Sequence, residues 1–478
     1  MSIANYSAAV TIADGGLGIV GAGLDGTTAI IGTASSGTVS ELNSYGGSET
    51  NDIVTEYTKG PLCDQGIKHL LNSGGKTTTL IKSTGTTAGA SSAVTASGGG
   101  PTVTVSGAPV DDYDSIVLII AGGARGTATF QYSLDGGDTY SDTIATAATY
   151  LLPSGVTVNF AIGTYVADET YSWTDTAPIN TTTNIGTALD ALIVSATDVE
   201  MVHVLGSAAS AADAATMAAT LSTKVASAWA AHKYFFVVFE GAEASVSSHA
   251  TAFASYADKG VVGCGGFCEL TSARTAEAEK KSSARVIVPR LARNPISIVP
   301  WRDAADANLD PFSDVVSLVT SDNTEGEGYH DEEASPGYTA ARFNSLRTVT
   351  GTQGVYAAGG VTLAANTSDY QLLPYLRIVL KAARTWYQFA ITQLGRRVRT
   401  KAGGTIDERF AKALDRLGKA KIKAALGSDI RDAAVIVSRS DVITSTQTLT
   451  AQVRVVVDGY LLTFNSEIGL ASELPAAA

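Results

Sequence analysis

Cysteine is scarce. Cys63, Cys264 and Cys268 are three in 478 residues, too few for a disulfide framework and in keeping with assembly in a cytosol. Histidine is scarce too: His69, His203, His232, His249 and His330 are all there are. No Ser/His/Asp or Cys/His constellation has a supporting context, so nothing points to nucleophilic catalysis. No run of 18 or more apolar residues occurs, which leaves no segment able to cross a bilayer as a helix. The N-terminal "MSIANYSAAV" lacks the positive region and apolar core of a signal peptide. Positive charge is also in deficit. A net charge of −13 argues against a general nucleic-acid binder and for solubility at high concentration.

What remains is apolar and small. Hydrophobic residues make up 45% of the chain and charged residues only 17%, so it is globular, with a length that suits two to four domains. Glycine contributes 48 residues, and Thr, Ser and Ala abound. Such a sparsely charged surface is suited to meeting other protein surfaces.

The stretch "HLLNSGGKTTTLIKS" (69–83) contains Gly75-Lys76-Thr77 and raises the question of a phosphate-binding loop. That loop needs a further Gly five residues before Gly75, where Leu70 stands. The order of elements is also reversed. Leu62, Ile67, Leu70 and Leu71 repeat with helical spacing before the glycines, and the β-branched run Thr77 to Lys82 follows them. Gly74-Gly75 therefore reads as a helix stop, and no cofactor is implied.

Along the chain, residues 1–25 read as an N-terminal extended arm. Residues 26–84 give a strand ("TTAIIGTA"), the helix and "TTTLIKS". Residues 85–100 read as a low-complexity linker. Short strands with turn signals over 101–180 predict a small β-sandwich. From 185 the pattern alternates helix and strand, as in "VEMVHVLG", the Ala-rich 208–232, "KYFFVVFEG", "GVVGCGGF" and "ISIVPW". That is an α/β domain with a largely parallel sheet. The expected fold class is thus a multidomain α+β/α/β protein. A discontinuous α/β middle domain (26–84 and 185–369) is interrupted by a β-sandwich insertion (85–184), and a C-terminal α+β domain (370–478) follows.

Three motifs invite a chemical reading. "SLDGGDTY" (133–140) is an Asp-box-like hairpin turn, in which Asp135 caps its own loop; one copy makes no propeller. "CGGFC" (264–268) lacks the second ligand pair that zinc requires and reads as small buried residues. "EGEGYHDEE" (325–333) holds Glu325, Glu327, His330, Asp331, Glu332 and Glu333. Its oxygens could hold a divalent cation, but the spacing matches no ligand pattern and the bland reading is a solvated acidic loop.

The strongest signal lies late. Pro374 to Leu394 reads as a helix with Gly395 past its end and a buried stripe of Leu376, Val379, Leu380, Ala383, Ile391 and Leu394. A second helix is expected from a Thr405/Glu408 capping box to Gly427, with Phe410, Ala413, Leu414, Leu417, Ala420 and Ala424 on its apolar face. Residues 374–426 hold 13 Lys or Arg against 3 Asp or Glu, a surplus of +10, so the remainder carries −23. Arg409, Lys412, Arg416, Lys419 and Lys423 share one helical sector, Arg377, Lys381 and Arg384 form a shorter line, and Arg396, Arg397, Arg399 and Lys401 make a basic turn. A charge run is usually a solvated face; one line of it on an acidic chain fits an acidic partner. No aromatic platform for nucleic acid accompanies it. "AAVIVSRS" and a hairpin about Asp458-Gly459 follow, with Leu449, Val453, Val455 and Val457 on one side and Tyr460, Leu462, Phe464 and Ile468 on the other.

In this order of elements the chain resembles the tail sheath proteins of contractile bacteriophage tails and related injection machines. "TTAIIGTASSG" matches the family's early strand, "LLNSGGKTTTLIKS" its helix–corner–strand, with Ser73 where Asn is frequent, and residues 370–470 its last third. The segment 101–180 is similar to the insertions such proteins carry on their outer side. The resemblance implies a structural, non-enzymatic subunit stacked as hexameric rings around an inner tube, linked by strand exchange and contracting without nucleotide hydrolysis to drive the tube through a host envelope. Arm residues Ile3, Tyr6, Val10 and Ile12 would then pair with a neighbour's sheet built from Val453, Val455, Val457, Tyr460, Leu462 and Phe464. One of the two basic segments would face an acidic tube protein. The further partners implied are baseplate and tail terminator proteins, with no direct nucleic acid and no membrane insertion. The location implied is the virion tail, assembled in the bacterial cytoplasm. The alternative from the residues is a secreted or cell-surface β-rich adhesin with a carbohydrate-binding sandwich, and a third reading is an α/β enzyme using Cys264 or the acidic loop.

Overall fold

The computed structural model describes residues 24–137, 139–206, 208–273, 278–302, 309–319, 337–349 and 351–460. The arm residues Ile3, Tyr6, Val10 and Ile12, the whole acidic loop 325–333, and Leu462, Phe464 and Ile468 lie outside them. The chain divides into a larger unit ending at Arg384 and a smaller one beginning at Thr385. The division falls within the long helix Leu373–Gln393, whereas a boundary at 370 was expected.

The larger unit is built on an eight-stranded sheet. Its order is Leu42–Tyr45, Thr78–Lys82, Thr28–Gly32, Met201–Val204, Phe236–Glu240, Val261–Cys264, Phe343–Val349 and Thr352–Ala358. The six inner strands run parallel and the two outermost are antiparallel. The central runs are apolar without alternation because both faces are covered. On the strand Phe236–Glu240, Phe236 and Val238 point into one core, while Val237 and Phe239 point into another.

Helices supply both covers. In chain order they are α1 (Thr50–Tyr57), α2 (Pro61–Asn72), α3 (Thr182–Val194), α4 (Ala211–Ala230), α5 (Val246–Ala252), α6 (Ala284–Arg293) and α7 (Leu373–Gln393). Ile185, Leu189, Met217 and Leu221 of α3 and α4 pack on one face. Ile287, Leu291, Leu376 and Leu380 of α6 and α7 pack on the other. Burying such side chains contributes roughly 1.5–3 kcal/mol each. Among the described residues no helix is long and apolar enough to cross a membrane.

Gly74 and Gly75 follow α2 with φ of +69° and +77°, the left-handed conformation that glycine adopts without strain, and the strand Thr78–Lys82 comes next. A helix therefore enters this corner and none leaves it, so no helix N-terminus is available for phosphate.

Residues 85–180 form their own sheets. The largest joins Ile144–Ala145, Thr129–Ser133, Tyr113–Ala121, Thr170–Thr176 and Ala90–Ser91, and a second joins Thr149–Leu151, Val156–Phe160 and Val103–Gly107. Phe130, Trp173, Phe160 and Tyr165 lie in the core between them. The stretch expected as a linker is instead three short strands, Gly85–Thr87, Ala90–Ser91 and Thr95–Ala96, which pair with residues 171–180. Their Thr, Ser, Ala and Gly residues give no apolar alternation, so the sequence hides a pairing that the backbone makes by itself. The turn at 133–139 caps itself: Ser133 Oγ donates to Asp135 Oδ1 at 2.6 Å and Thr139 Oγ1 to Asp135 Oδ2 at 2.6 Å. Burial alone would raise the Asp135 carboxyl, but these donors hold it below its ordinary value. "ISIVPW" is not a strand; its residues turn after α6, with Asn294 Nδ2 donating to the carbonyl of Arg302 at 2.9 Å. Cys264 and Cys268 are buried thiols whose pKa values burial pushes up.

The smaller unit packs α8 (Glu408–Leu426) on a two-stranded antiparallel sheet, Asp432–Val437 with Ala451–Val456. The expected capping box is not used. Asp407 is the N-cap, and its Oδ1 accepts from the backbone N–H of Arg409 at 2.9 Å and of Phe410 at 3.3 Å. The buried face of α8 is Ala411, Leu414, Gly418, Ile422 and Leu426, not the stripe through Ala413, Leu417, Ala420 and Ala424. Ile391 and Leu394 of the preceding helix region are likewise exposed, at 44% and 75%.

Candidate interaction surfaces

The basic residues of 374–426 separate into two groups. Arg377 is inside the larger unit, 1% exposed, with Nε 2.6 Å from Glu200 Oε1 and Nη2 3.1 Å from Oε2. Burial alone would raise the Glu200 carboxyl; the Arg377 charge overrides it and holds it low. Lys381 pairs with Asp25 at 2.5 Å. Arg384 donates to the Tyr234 carbonyl at 3.1 Å, and burial pulls its pKa down. The short basic line on α7 is thus spent on internal partners.

The second group belongs to the smaller unit. Arg396, Arg397, Arg399 and Lys401 are exposed, as are Arg409, Lys412, Arg416 and Lys423, while Lys419 is half-buried. Lys412 pairs with Glu408 at 3.4 Å, and Lys419 and Lys423 share Asp432 Oδ1 at 3.1 and 3.3 Å. Arg396 lies 5.8 Å from the Phe410 ring centroid. Arg397, Arg399, Lys401, Arg409 and Arg416 make no ion pair among the described residues. Together with the exposed Arg396 and Lys421, these are the cations of 374–426 available to an acidic surface, a distinction that sequence spacing could not draw.

The sheet of the smaller unit has two edges with no further strand among the described residues. Val453 pairs with Val435 and Val455 with Ala433; Val457 and Tyr460 follow the strand's end. Ala433, Val435 and Val437 face α8, whereas Ile436 is 56% exposed on the other face. Open edges of this kind accept strands from other chains. Beside them lies a groove of about 460 Å³ lined by Trp386, Phe389, Val398, Phe410, Leu414 and Leu449. The sequence did not reveal it, because Leu449 comes from a segment read as one arm of a hairpin with 460–468. Among the described residues the strand Ala451–Val456 pairs with Asp432–Val437, and the expected partners Leu462, Phe464 and Ile468 lie outside them.

Comparison with solved structures places this architecture. The chain is similar to a chain of the anti-feeding prophage baseplate in its contracted state, at 11% identity, covering 98% of this chain and 99% of that one with a TM-score of 0.52. It is similar to the anti-feeding prophage helical sheath in its contracted state, at 10% identity, 92% and 93% coverage and a TM-score of 0.50. A sheath tail protein of Desulfitobacterium hafniense matches at 12% identity over 91% of this chain and 96% of its own, with a TM-score of 0.43. No curated protein matches in sequence. The likeness to contractile sheath proteins therefore holds at the level of the fold, as a mixed α/β protein with several sheets. Two family models cover most of the chain, the DUF2586 N-terminal domain over residues 7–293 and the DUF2586 C-terminal domain over residues 369–475, and the chain belongs to that DUF2586 family.

Proposed function

We propose that this chain is the structural subunit of a contractile sheath. It polymerises as stacked hexameric rings around an inner tube and contracts by rigid-body motion between packed domains, without nucleotide hydrolysis. The observation that carries the reading is the fold shared with the contracted anti-feeding prophage assembly along 98% of the chain. Two features support it. The sheet at 432–456, open-edged among the described residues, is suited to receiving a neighbour's strand, and Ile3, Tyr6, Val10 and Ile12 give the arm an apolar pattern to offer. The corner at 69–83 has no phosphate-binding geometry. On this reading the partners are further copies of the chain, an acidic tube protein, and baseplate and terminator proteins, and the subunit is a non-enzymatic part of the tail, assembled in the host cytoplasm.

Negative-stain electron microscopy of the full-length chain, and of a chain lacking residues 1–20, tests this. Tubes or stacked rings that disappear with the deletion are expected. A full-length chain that stays monomeric even when co-expressed with its tube protein would overturn the reading.

A further inference from the structure

Three acidic side chains converge inside the larger unit, away from the surfaces described above. Asp64 lies on α2, Asp111 in the loop between the insertion's strands Val103–Gly107 and Tyr113–Ala121, and Glu279 on the strand Ala278–Ser282. They are 7%, 0% and 6% exposed. Each offers one carboxylate oxygen, and these oxygens lie within 4.8 Å of one another. Two oxygens on one Ca²⁺ can be at most about 5 Å apart, twice the metal–oxygen bond, so the spread fits a single ion.

Lys281 reaches the same point. Its Nζ is 2.8 Å from Asp111 Oδ1, 3.5 Å from Glu279 Oε2 and 3.6 Å from Asp112 Oδ2. One ammonium cannot balance so many carboxylates. The neighbouring Arg285 adds a second positive charge that acts on Asp111 and Glu279, but it is shared with Glu240, which its Nε meets at 2.8 Å. Counted as side chains, the cluster still carries surplus negative charge in a buried place, which is costly unless a proton, such as one shared in the Asp64–Asp111 hydrogen bond, or a cation resolves it. Burial alone would raise the Asp111 carboxyl, but Lys281 overrides it and holds the group at about 2. For Glu279, burial prevails and pushes the carboxyl up.

A separate observation points to a ligand. Oε1 of Glu279 is buried and accepts no hydrogen bond among the described residues. An orphaned buried acceptor of this kind costs about 1–3 kcal/mol. There is also a way in: Asp112, Lys281 and Arg285 line a cleft of about 240 Å³.

We propose that Asp64, Asp111 and Glu279 bind one hard divalent cation of the Mg²⁺ or Ca²⁺ class. The donors are all oxygen, with no thiol or imidazole among them, which selects that class over zinc or copper. The ion ties together α2, an internal loop of the insertion and the hairpin of Phe267–Thr271 with Ala278–Ser282, three segments far apart in the chain. Its natural role is to brace the insertion against the α/β sheet. The site stands independently of the assembly reading.

The test uses the full-length chain after treatment with chelator, titrated calorimetrically with MgCl₂ and with CaCl₂ and followed by thermal unfolding. One ion per chain and a raised unfolding midpoint are expected. Glu279→Gln should weaken binding by at least about tenfold, with an unfolding midpoint in EDTA equal to or above that of the wild type. Lys281→Met removes the competing ammonium and should strengthen binding, a gain that damage to the fold would not produce. The proposal is overturned if the wild type shows neither heat nor stabilisation with either ion, if Glu279→Gln keeps the full effect, or if folded Lys281→Met binds no more tightly. Should Lys281→Met fail to fold, Glu279→Gln decides alone.

Discussion

His69 is wholly buried on α2, and neither ring nitrogen has a hydrogen-bond partner among the described residues. Burial, reinforced by nearby His203, pushes its pKa down to about 3. The unfolded chain binds the proton at about 6.5, so the folded state resists a charge that the unfolded state accepts. The resulting loss of stability begins as pH falls below about 6.5 and is complete near pH 3. At pH 5 the imidazole costs on the order of 2 kcal/mol relative to pH 8, being about 1.5 pH units below the unfolded pKa. His69→Leu should therefore have a flatter unfolding midpoint between pH 8 and pH 5 than the wild type, read by calorimetry on the full chain. An equally steep pH dependence in the variant would assign the effect to other groups. His203 is the natural rival, since burial depresses it too, although Glu240 at 3.6 Å offers it a counter-charge.

At the scale of elements, α8 shows how far pattern reading reaches. Its existence and its stop at Gly427 follow from 3.6-residue periodicity and a C-terminal glycine. Its start was misplaced because Thr405 and Glu408 satisfy the capping-box spacing while Asp407, a stronger N-cap, sits between them. Asp407→Ala should lower stability by about 1 kcal/mol, and Thr405→Ala should change it by less than about 0.5 kcal/mol. Urea unfolding of both variants separates the two caps, and the reverse ranking would restore the capping box. The face of α8 was misphased for a different reason. Leu417 is 50% exposed while Gly418 is buried, because a Cβ at Gly418 would lie 2.9 Å from Trp386 and 3.1 Å from Val435. Apolarity favours the leucine, but close approach of the sheet requires the glycine, and hydropathy does not register that requirement. The central parallel strands were legible because burial on both faces leaves unbroken apolar runs. The short strands at 85–96 were not, since backbone pairing leaves no side-chain pattern. The carboxylate cluster was invisible for a third reason: only tertiary folding brings Asp64, Asp111 and Glu279 together.

At the scale of the whole chain, charge is distributed unevenly, and the structure changes what that means. Of the +10 surplus in 374–426, Arg377, Lys381 and Arg384 are committed inside the larger unit. Lys412, Lys419 and Lys423 are partly neutralised by Glu408 and Asp432. Exposed pairs of that kind contribute little to stability, yet each cancels a charge that a partner would otherwise feel. If an acidic tube is read electrostatically, the burden falls on Arg396, Arg397, Arg399, Lys401, Arg409, Arg416 and Lys421. The combined variant Arg397→Glu, Arg399→Glu and Arg409→Glu should therefore weaken co-sedimentation with the tube protein by at least about tenfold, through lost attraction and added like-charge repulsion. Lys419→Gln with Lys423→Gln should weaken it far less. Wild-type binding should also fall as salt rises and the Debye length shrinks from about 10 Å at 0.1 M to 3 Å at 1 M. All three substituted arginines are exposed, so the variant should unfold at the wild-type midpoint. Undiminished, salt-insensitive binding by that folded variant would mean that docking rests on the apolar groove beside Trp386 or on strand exchange, and that the basic residues only solvate their own helix.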